Sequence, residues 1–280
     1  MLEERLRSRL EALNRQPLPA TKAAPRPAAA KPAQPVQSTA GLLDRGEPVA
    51  TASGEHLRIV VPLEEFWPGG PELLAKRHTF LTEATGERKE DELTAITRSF
   101  PEHLVCLDLE TCGLAGNALF LIGLLRCDLT PHVELLLARN YSEERSVLEA
   151  LWQTLTGETL LLTFNGKSFD WPMVVDRTTR HLLFRGTPAP EPTHVDLLHH
   201  SRRKWRASLP DCKLQTLERM VCRRSRTGDI PGSQIPAVYQ RYVETGDGNE
   251  LEAVLRHNAI DVVTLLDLAI RLAKPIGQSG

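Results

Sequence analysis

Two acids, Asp108 and Glu110, interrupt an apolar run that begins at Leu104. From Val105 to Gly113 it reads Val-Cys-Leu-Asp-Leu-Glu-Thr-Cys-Gly. If the run is a β-strand, alternation puts both carboxylates on one face. Two acids on one face of a buried strand repel each other and lose hydration, so a positive group belongs between them. A divalent metal ion is the usual solution, because hard cations take carboxylate oxygens. The plain alternative is a strand that ends at Asp108, with both acids in water ahead of a turn at Gly113.

A second signal is Phe164-Asn165-Gly166-Lys167-Ser168-Phe169-Asp170. It follows a short apolar strand, and Asn-Gly breaks the chain into a loop or a helix start. Asp170 then lies at the C-terminal edge of that strand, where sites in open α/β sheets gather. Alternatively it is a helix-start acid stabilised by the macrodipole. The third signal is His257-Asn258-Ala259-Ile260-Asp261 inside the last helix. Residues four apart on a helix are neighbours, so His257 and Asp261 share a face beside the apolar Ile260, Val262 and Val263. A helix-surface His–Asp pair is the ordinary reading of that spacing. If the three signals converge, four carboxylates meet, and about two divalent cations would balance them. Two such ions about 4 Å apart clamp a phosphodiester, one activating water and the other stabilising the leaving oxygen. A neutral His257 could accept the water's proton near physiological pH.

In this order, Asp108-x-Glu110, Asn165-x-x-x-Phe169-Asp170 and His257-x-x-x-Asp261 resemble the three motifs of the DEDD (DnaQ-like) 3′–5′ exonuclease superfamily. Four longer phrases resemble, more narrowly, the bacterial YprB ribonuclease H-like group. They are Leu-Asp-Leu-Glu-Thr-Cys-Gly-Leu, Phe-Asn-Gly-Lys-Ser-Phe-Asp-Trp-Pro, His-Val-Asp-Leu-Leu-His-His-Ser-Arg-Arg and His-Asn-Ala-Ile-Asp-Val. The likeness runs from about Leu104 to Leu272. It implies an α/β, ribonuclease H-like fold with a mixed five-stranded sheet and helices on both faces. It implies that Asp108, Glu110, Asp170 and Asp261 hold two Mg²⁺ or Mn²⁺ ions, with His257 as general base. Thr111 and Asn165, within the first two motifs, are then candidate substrate contacts. One departure stands out: His257 occupies the spacing at which the superfamily places Tyr.

The elements needed to position these residues are legible in outline. Leu104–Leu109, Ala118–Cys127 and Val133–Ala138 read as three successive strands, an antiparallel meander. Ser142–Thr156 has helical periodicity, Thr159–Phe164 is a short buried strand, and Lys167–Arg180 is a helix with a possible kink at Pro172. His194–Leu198 begins another strand or helix. Leu214–Val221, Pro236–Thr245 and Asn249–Leu272 are helices. Strands and helices in that order fit a mixed sheet covered on both faces. Three domains are expected. Residues 1–41 are a Pro/Ala-rich disordered tail with a short amphipathic helix at its start. Residues 42–100 are a small appendage, with a strand at His56–Pro62 and a helix at Glu72–Leu81. Residues 101–274 are the ribonuclease H-like domain.

Bulk properties narrow the classes. The chain has 280 residues, 41% of them hydrophobic, and a net charge of −2, so any attraction to nucleic acid must be local. Five cysteines without a C-x-x-C spacing suggest neither a disulfide framework nor a zinc site, and fit reduced thiols of a cytoplasmic protein. No signal-peptide core and no membrane-length apolar run is present in the sequence. Two basic clusters are candidate nucleic-acid contacts: Arg202, Arg203, Lys204 and Arg206 around Trp205, and Arg223, Arg224 and Arg226. Cations meet phosphates, and Trp205 among them could stack a base. The alternative is a solvated basic face with Trp205 packed inward. Asp196 reads as a helix cap and the nearby His194, His199 and His200 as surface groups. The expected activity is a metal-dependent 3′–5′ exonuclease on single-stranded ends of DNA or RNA. The rivals are a structure-specific endonuclease and a non-catalytic nucleic-acid-binding module of the same fold.

Overall fold

A computed structural model describes residues 41–83, 91–113, 116–128 and 130–273. The tail expected over residues 1–41 lies outside the described residues, apart from Gly41. Seven strands form one sheet: β1 (Glu47–Thr51), β2 (Gly54–Pro62), β3 (Leu104–Thr111), β4 (Leu119–Arg126), β5 (His132–Leu137), β6 (Leu160–Thr163) and β7 (Thr193–Asp196). Their spatial order is β1-β2-β5-β4-β3-β6-β7. The β1–β2, β2–β5, β5–β4 and β4–β3 pairs are antiparallel, whereas β3–β6 and β6–β7 are parallel. The sheet is therefore mixed, as expected, but has seven strands instead of five. The two additional strands come from residues 47–62, within the stretch expected as an appendage. The Glu47–Thr51 strand escaped the sequence because Pro48 interrupts it and Val49 is its only sizeable apolar residue, which leaves no alternation to read on an exposed edge.

Seven helices of eight residues or more complete the described fold. They are α1 (Gly70–Glu83), α2 (Glu92–Ser99), α3 (Glu144–Thr154), α4 (Asp170–Arg180), α5 (Leu197–Trp205), α6 (Ile235–Thr245) and α7 (Leu251–Leu272). The run expected as a helix at Leu214–Val221 is one α-turn, Leu214–Leu217, followed by a π-helical segment, Glu218–Cys222. β4 is buried at seven consecutive positions, so both of its faces are covered, which explains its continuous apolar reading. α7 packs across β3, β4 and β5 and also touches α2, α5 and α6. Being enclosed on most sides, it is apolar nearly all round, with seventeen buried residues that leave only a narrow polar strip.

Local chemistry fixes the ends of the elements that carry the site. Asp196 accepts the Leu198 N–H (3.0 Å) to cap α5, as its sequence position suggests. It also accepts the Asn165 N–H (2.8 Å) and the Lys167 N–H (3.2 Å), tying the turn after β6 to the end of β7. Asn165 sits at φ 68°, a left-handed position that Asn tolerates well. The chain turns there, and α4 begins at Asp170 instead of Lys167. Pro172 therefore falls in the first turn of the helix and needs no kink. α4 is anchored by a buried ion pair. Arg177 Nη2 lies 2.6 Å from Glu144 Oε2, and Glu144 Oε1 also accepts the Leu119 N–H (2.8 Å). α4, α3 and β4 are thus locked together through one carboxylate.

His194 and His200, read as surface groups, are partly and fully buried. His200 Nε2 pairs with Glu92 at 2.7 Å, and His194 Nε2 lies 2.8 Å from the Thr163 hydroxyl. Burial pushes the His194 imidazole down from 6.5 to about 4. The unfolded chain therefore takes up this proton first as pH falls. The contribution of neutral His194 to stability is complete above about pH 6.5 and is lost between there and about pH 4. His194→Asn is expected to unfold with a shallower acid dependence than the wild type across that window. Urea titrations at a series of pH values measure it, and parallel slopes for the two proteins would refute it.

Candidate active site

The carboxyl ends of the parallel strands β3, β6 and β7 point the same way, and three of the predicted acids gather there. Asp108 and Glu110 lie on one face of β3, opposite Gly123 and Leu121 of β4. Asp170 opens α4 just beyond β6. Asp261 comes from the middle of α7, which crosses the same face. All four interact. Burial first, then the charges of Asp261, Glu110 and Asp170, raise the Asp108 carboxyl well above its usual range, with Arg226 opposing. Burial and Asp261 raise Glu110 in the same way. Burial pushes Asp170 up to about 7, with Asp196 and Asp261 adding to it and backbone hydrogen bonds at Asp170 and Leu109 opposing. Burial and the neighbouring carboxylates thus oppose the charged form of each of these three acids.

Asn258, quoted in the third motif but given no role there, turns out to be central. It is wholly buried, and its Nδ2 donates to Asp108 Oδ2 at 2.8 Å. Its side chain also bonds Glu110 and opposes the rise of that carboxyl without overcoming it. A polar residue with no exposure on an apolar helix, three positions from Asp261, was the available sequence signal.

His257 is buried beside these groups. Its Nδ1 faces Asp229 Oδ1 at 2.7 Å and its Nε2 faces Asp261 Oδ2 at 3.3 Å. Asp229 is a second residue that the sequence reading missed, and unlike Asn258 it gave no signal, since it lies in a loop 28 positions away.

In the second basic cluster, Arg223 is exposed, whereas Arg224 and Arg226 are committed to carboxylates of the fold. Arg224 pairs with Asp267 at 2.7 Å, and its Nη2 donates to the Thr264 hydroxyl. Arg226 pairs with Glu218 at 2.5 Å and with Asp261. Their partners come from elsewhere in the chain, which is why the cluster looked free of acids in sequence. In the first cluster, Arg202 and Arg203 are exposed on α5. Trp205 packs partly against the core, with the Lys204 ammonium 5.1 Å from its ring centroid. No described contact joins these three residues to the acids. Arg202 and Arg206 do line a recess that shares Asp211 with the recess lined by Arg226 and Asp229. The Thr111 hydroxyl donates to the Gly113 carbonyl at 2.6 Å, and Asn165 serves the turn.

On the other side of the acids lies a pocket of about 730 Å³, lined by Leu109, Thr111, Phe169, Asp170, Met173 and Arg180 among others. Phe169 stands 64% exposed at its edge, immediately before Asp170. As a donor set, four carboxylates whose charges oppose one another fit a hard divalent cation. As the side chains stand, no three His, Cys, Asp or Glu residues among the described ones are grouped closely enough to share an ion. Arg226 is the positive group nearest to hand.

A mixed sheet, with acids at the ends of its parallel strands and a crossing helix that supplies another, defines a ribonuclease H-type protein. The chain belongs to the RNase H superfamily: it matches that family (RNase_H_2) over residues 105–273. It is also 37% identical over 184 residues to "Uncharacterized protein YprB" of Bacillus subtilis (strain 168), covering 62% of this chain and 43% of that one. The chain therefore spans less than half of that relative's length. A crystal structure of the Aedes aegypti Nibbler EXO domain aligns at TM-score 0.30 and 12% identity, covering 66% of this chain and 87% of that one. A likeness at that level carries no argument. No helix among the described residues is long and apolar enough to cross a membrane.

Proposed function

We propose that the protein is a metal-dependent nuclease that hydrolyses phosphodiester bonds at nucleic-acid ends, with 3′–5′ polarity, on single-stranded DNA or RNA. What supports this reading is that Asp108, Glu110, Asp170 and Asp261 lie near enough for each one's charge to oppose its neighbours', in partly buried positions. That arrangement is electrostatically unfavourable on its own account and becomes favourable with a cation. The polarity rests on the order and spacing of the three motifs.

The four acids would hold Mg²⁺ or Mn²⁺. When bound, such an ion lowers the pKa of an attacking water and neutralises charge on the phosphate. The chain's own groups supply the rest. His257 accepts a proton at Nε2, and Asp229 fixes the ring by bonding Nδ1. Phe169, Leu109 and Met173 give the terminal base and sugar an apolar wall, with Phe169 exposed for stacking. Arg202, on the recess that adjoins Arg226 and Asp229, attracts the phosphates of the strand.

The test is digestion of end-labelled single- and double-stranded DNA and RNA with Mn²⁺, beside a circular single-stranded substrate. Mononucleotide release from 3′ ends, with the circle left intact, supports the reading. Cutting of the circle would move it to an endonuclease, and no hydrolysis of any substrate would refute it. His257→Ala is expected to slow hydrolysis by about 10²–10⁴-fold, the usual contribution of a positioned base. Single-turnover rates at saturating substrate measure it, and wild-type rates in the variant would remove His257 from the chemistry.

A further inference from the structure

The loop between the π-helical segment and α6 is laid antiparallel along α7. Arg223 takes a left-handed conformation (φ 57°) at the end of the π-helix and reverses the chain. From there Arg224 reaches Thr264 and Asp267, Arg226 reaches Asp261, and Asp229 reaches His257. As the loop runs forward, its partners step back along one face of the helix. A ladder of three such contacts holds the loop in place, and π-helical segments are a common way of setting residues at working sites.

Arg226 is the middle rung. Its side chain is only 7% exposed. Its Nε donates to Glu218 Oε2 at 2.6 Å, and Glu218 is itself 2% exposed and made by the π-helical turn. Its Nη2 bonds Asp261, and its charge reaches Asp108 and Glu110. Its Nη1 has no hydrogen-bond partner in the described structure, although it is buried. The nearest carboxylate oxygen, on Asp229, is 3.7 Å away. Arg226 also borders, with Glu218, Arg224 and Asp229, a recess of about 410 Å³. Its guanidinium keeps its charge at any working pH, and with Nε and Nη2 committed to Glu218 and Asp261 it stands as a fixed cation against those carboxylates.

We propose that Arg226 is a built-in second cation of the acid pocket: it takes the place of one of two divalent ions at Asp261 and leaves room for a single ion. The inference rests on the nuclease reading given above and deepens it. A fixed guanidinium between Asp261 and Glu218 satisfies Asp261 without a metal. A dication placed against Asp261 would face the Arg226 charge across a few ångströms of buried medium, where like charges repel strongly.

The experiment is Mn²⁺ titration of the intact chain, followed by isothermal calorimetry and electron paramagnetic resonance, for wild type, Arg226→Lys and Arg226→Gln. Melting in EDTA and in Mn²⁺ is recorded for each. The wild type is expected to take up about one ion per chain, and Arg226→Lys the same, since the charge is kept. Arg226→Gln is expected to take up about two, to melt several degrees below wild type in EDTA, and to regain more on adding Mn²⁺ because ligand binding favours the folded state. Two ions of similar affinity in the wild type would overturn the inference while leaving the nuclease reading intact. Failure of all three proteins to bind Mn²⁺ would overturn both. If Arg226→Gln does not fold, the stoichiometries of wild type and Arg226→Lys still decide the matter.

Discussion

Asp108→Ala is expected to reduce metal-dependent hydrolysis by well over the ~100-fold that loss of an outer-shell partner costs, because it removes a carboxylate at the centre of the pocket. The protein is expected to stay folded. Asp108 is the acid that all three other acids oppose, and burial already disfavours its charge. Its removal relieves that repulsion, which offsets the loss of the acceptor for Asn258 Nδ2. Asp108→Asn sharpens the point. The amide oxygen can still accept from Asn258 Nδ2, now 2.8 Å from the carboxylate, while the charge is gone. This variant is expected to be inactive and to melt no lower than wild type in the presence of a chelator. Thermal melts in EDTA, beside a hydrolysis assay, measure both properties on one preparation. Wild-type rates in either variant would end the metal-site assignment, and a marked drop in melting temperature for Asp108→Asn would show that the carboxylate is structural.

Gly123→Ala is expected to be the most damaging change of a single hydrogen to a methyl group in the sheet. Gly123 pairs with Asp108 across β3 and β4. A Cβ on it would stand 1.8 Å from Asn258 Oδ1 and 2.8 Å from Asn258 Cγ, distances no real atoms adopt. The glycine is there to let α7 bring Asn258 down onto the strand. With alanine, either the helix lifts or Asn258 changes rotamer and leaves its bond to Asp108. Overpacking of this kind costs about 1–3 kcal/mol, and a lost hydrogen bond to a charged group about 1.5–3 kcal/mol more. A loss of roughly 3 kcal/mol or more in urea unfolding is expected, together with loss of activity. The double variant Gly123→Ala/Asn258→Ala isolates the cause, since removing the amide removes the clash. If Gly123→Ala destabilises as much in the Asn258→Ala background as alone, the close approach is not the reason for the glycine.

These expectations concern two kinds of residue, and the sequence revealed them unequally. Asp108 and Glu110 were visible because strand alternation is a local rule that places residues two apart on one face. Asp170 and Asp261 were visible because each follows a local breaker or a helical spacing. Gly123 gave no such signal: a glycine in an apolar strand indicates close approach by something, but not by what. Asn258 lay inside a quoted motif and still had no role, since its partners are in β3, 150 positions away for Asp108. The pairing of Arg224 with Asp267 and of Arg226 with Glu218 and Asp261 is invisible until α7 and the loop are placed together. The five-strand count failed for a related reason. β1 and β2 join the sheet through β5, and an edge strand with mixed polarity announces itself weakly.

The amino-acid sequence by itself determined the chemistry on offer: four carboxylates and an imidazole, each at the start, end or face of an element whose type follows from local periodicity. It also determined the alternation of strands and helices that brings such groups to one edge of a sheet. Only the tertiary structure decided which cation stands among the acids, which amide holds them, and which strands complete the sheet. Periodicity acts over a few residues, whereas ion pairs and hydrogen bonds join groups that become neighbours only after the chain has closed loops of 28 to 150 positions. Arg226, Asn258 and Asp229 owe their roles to those closures.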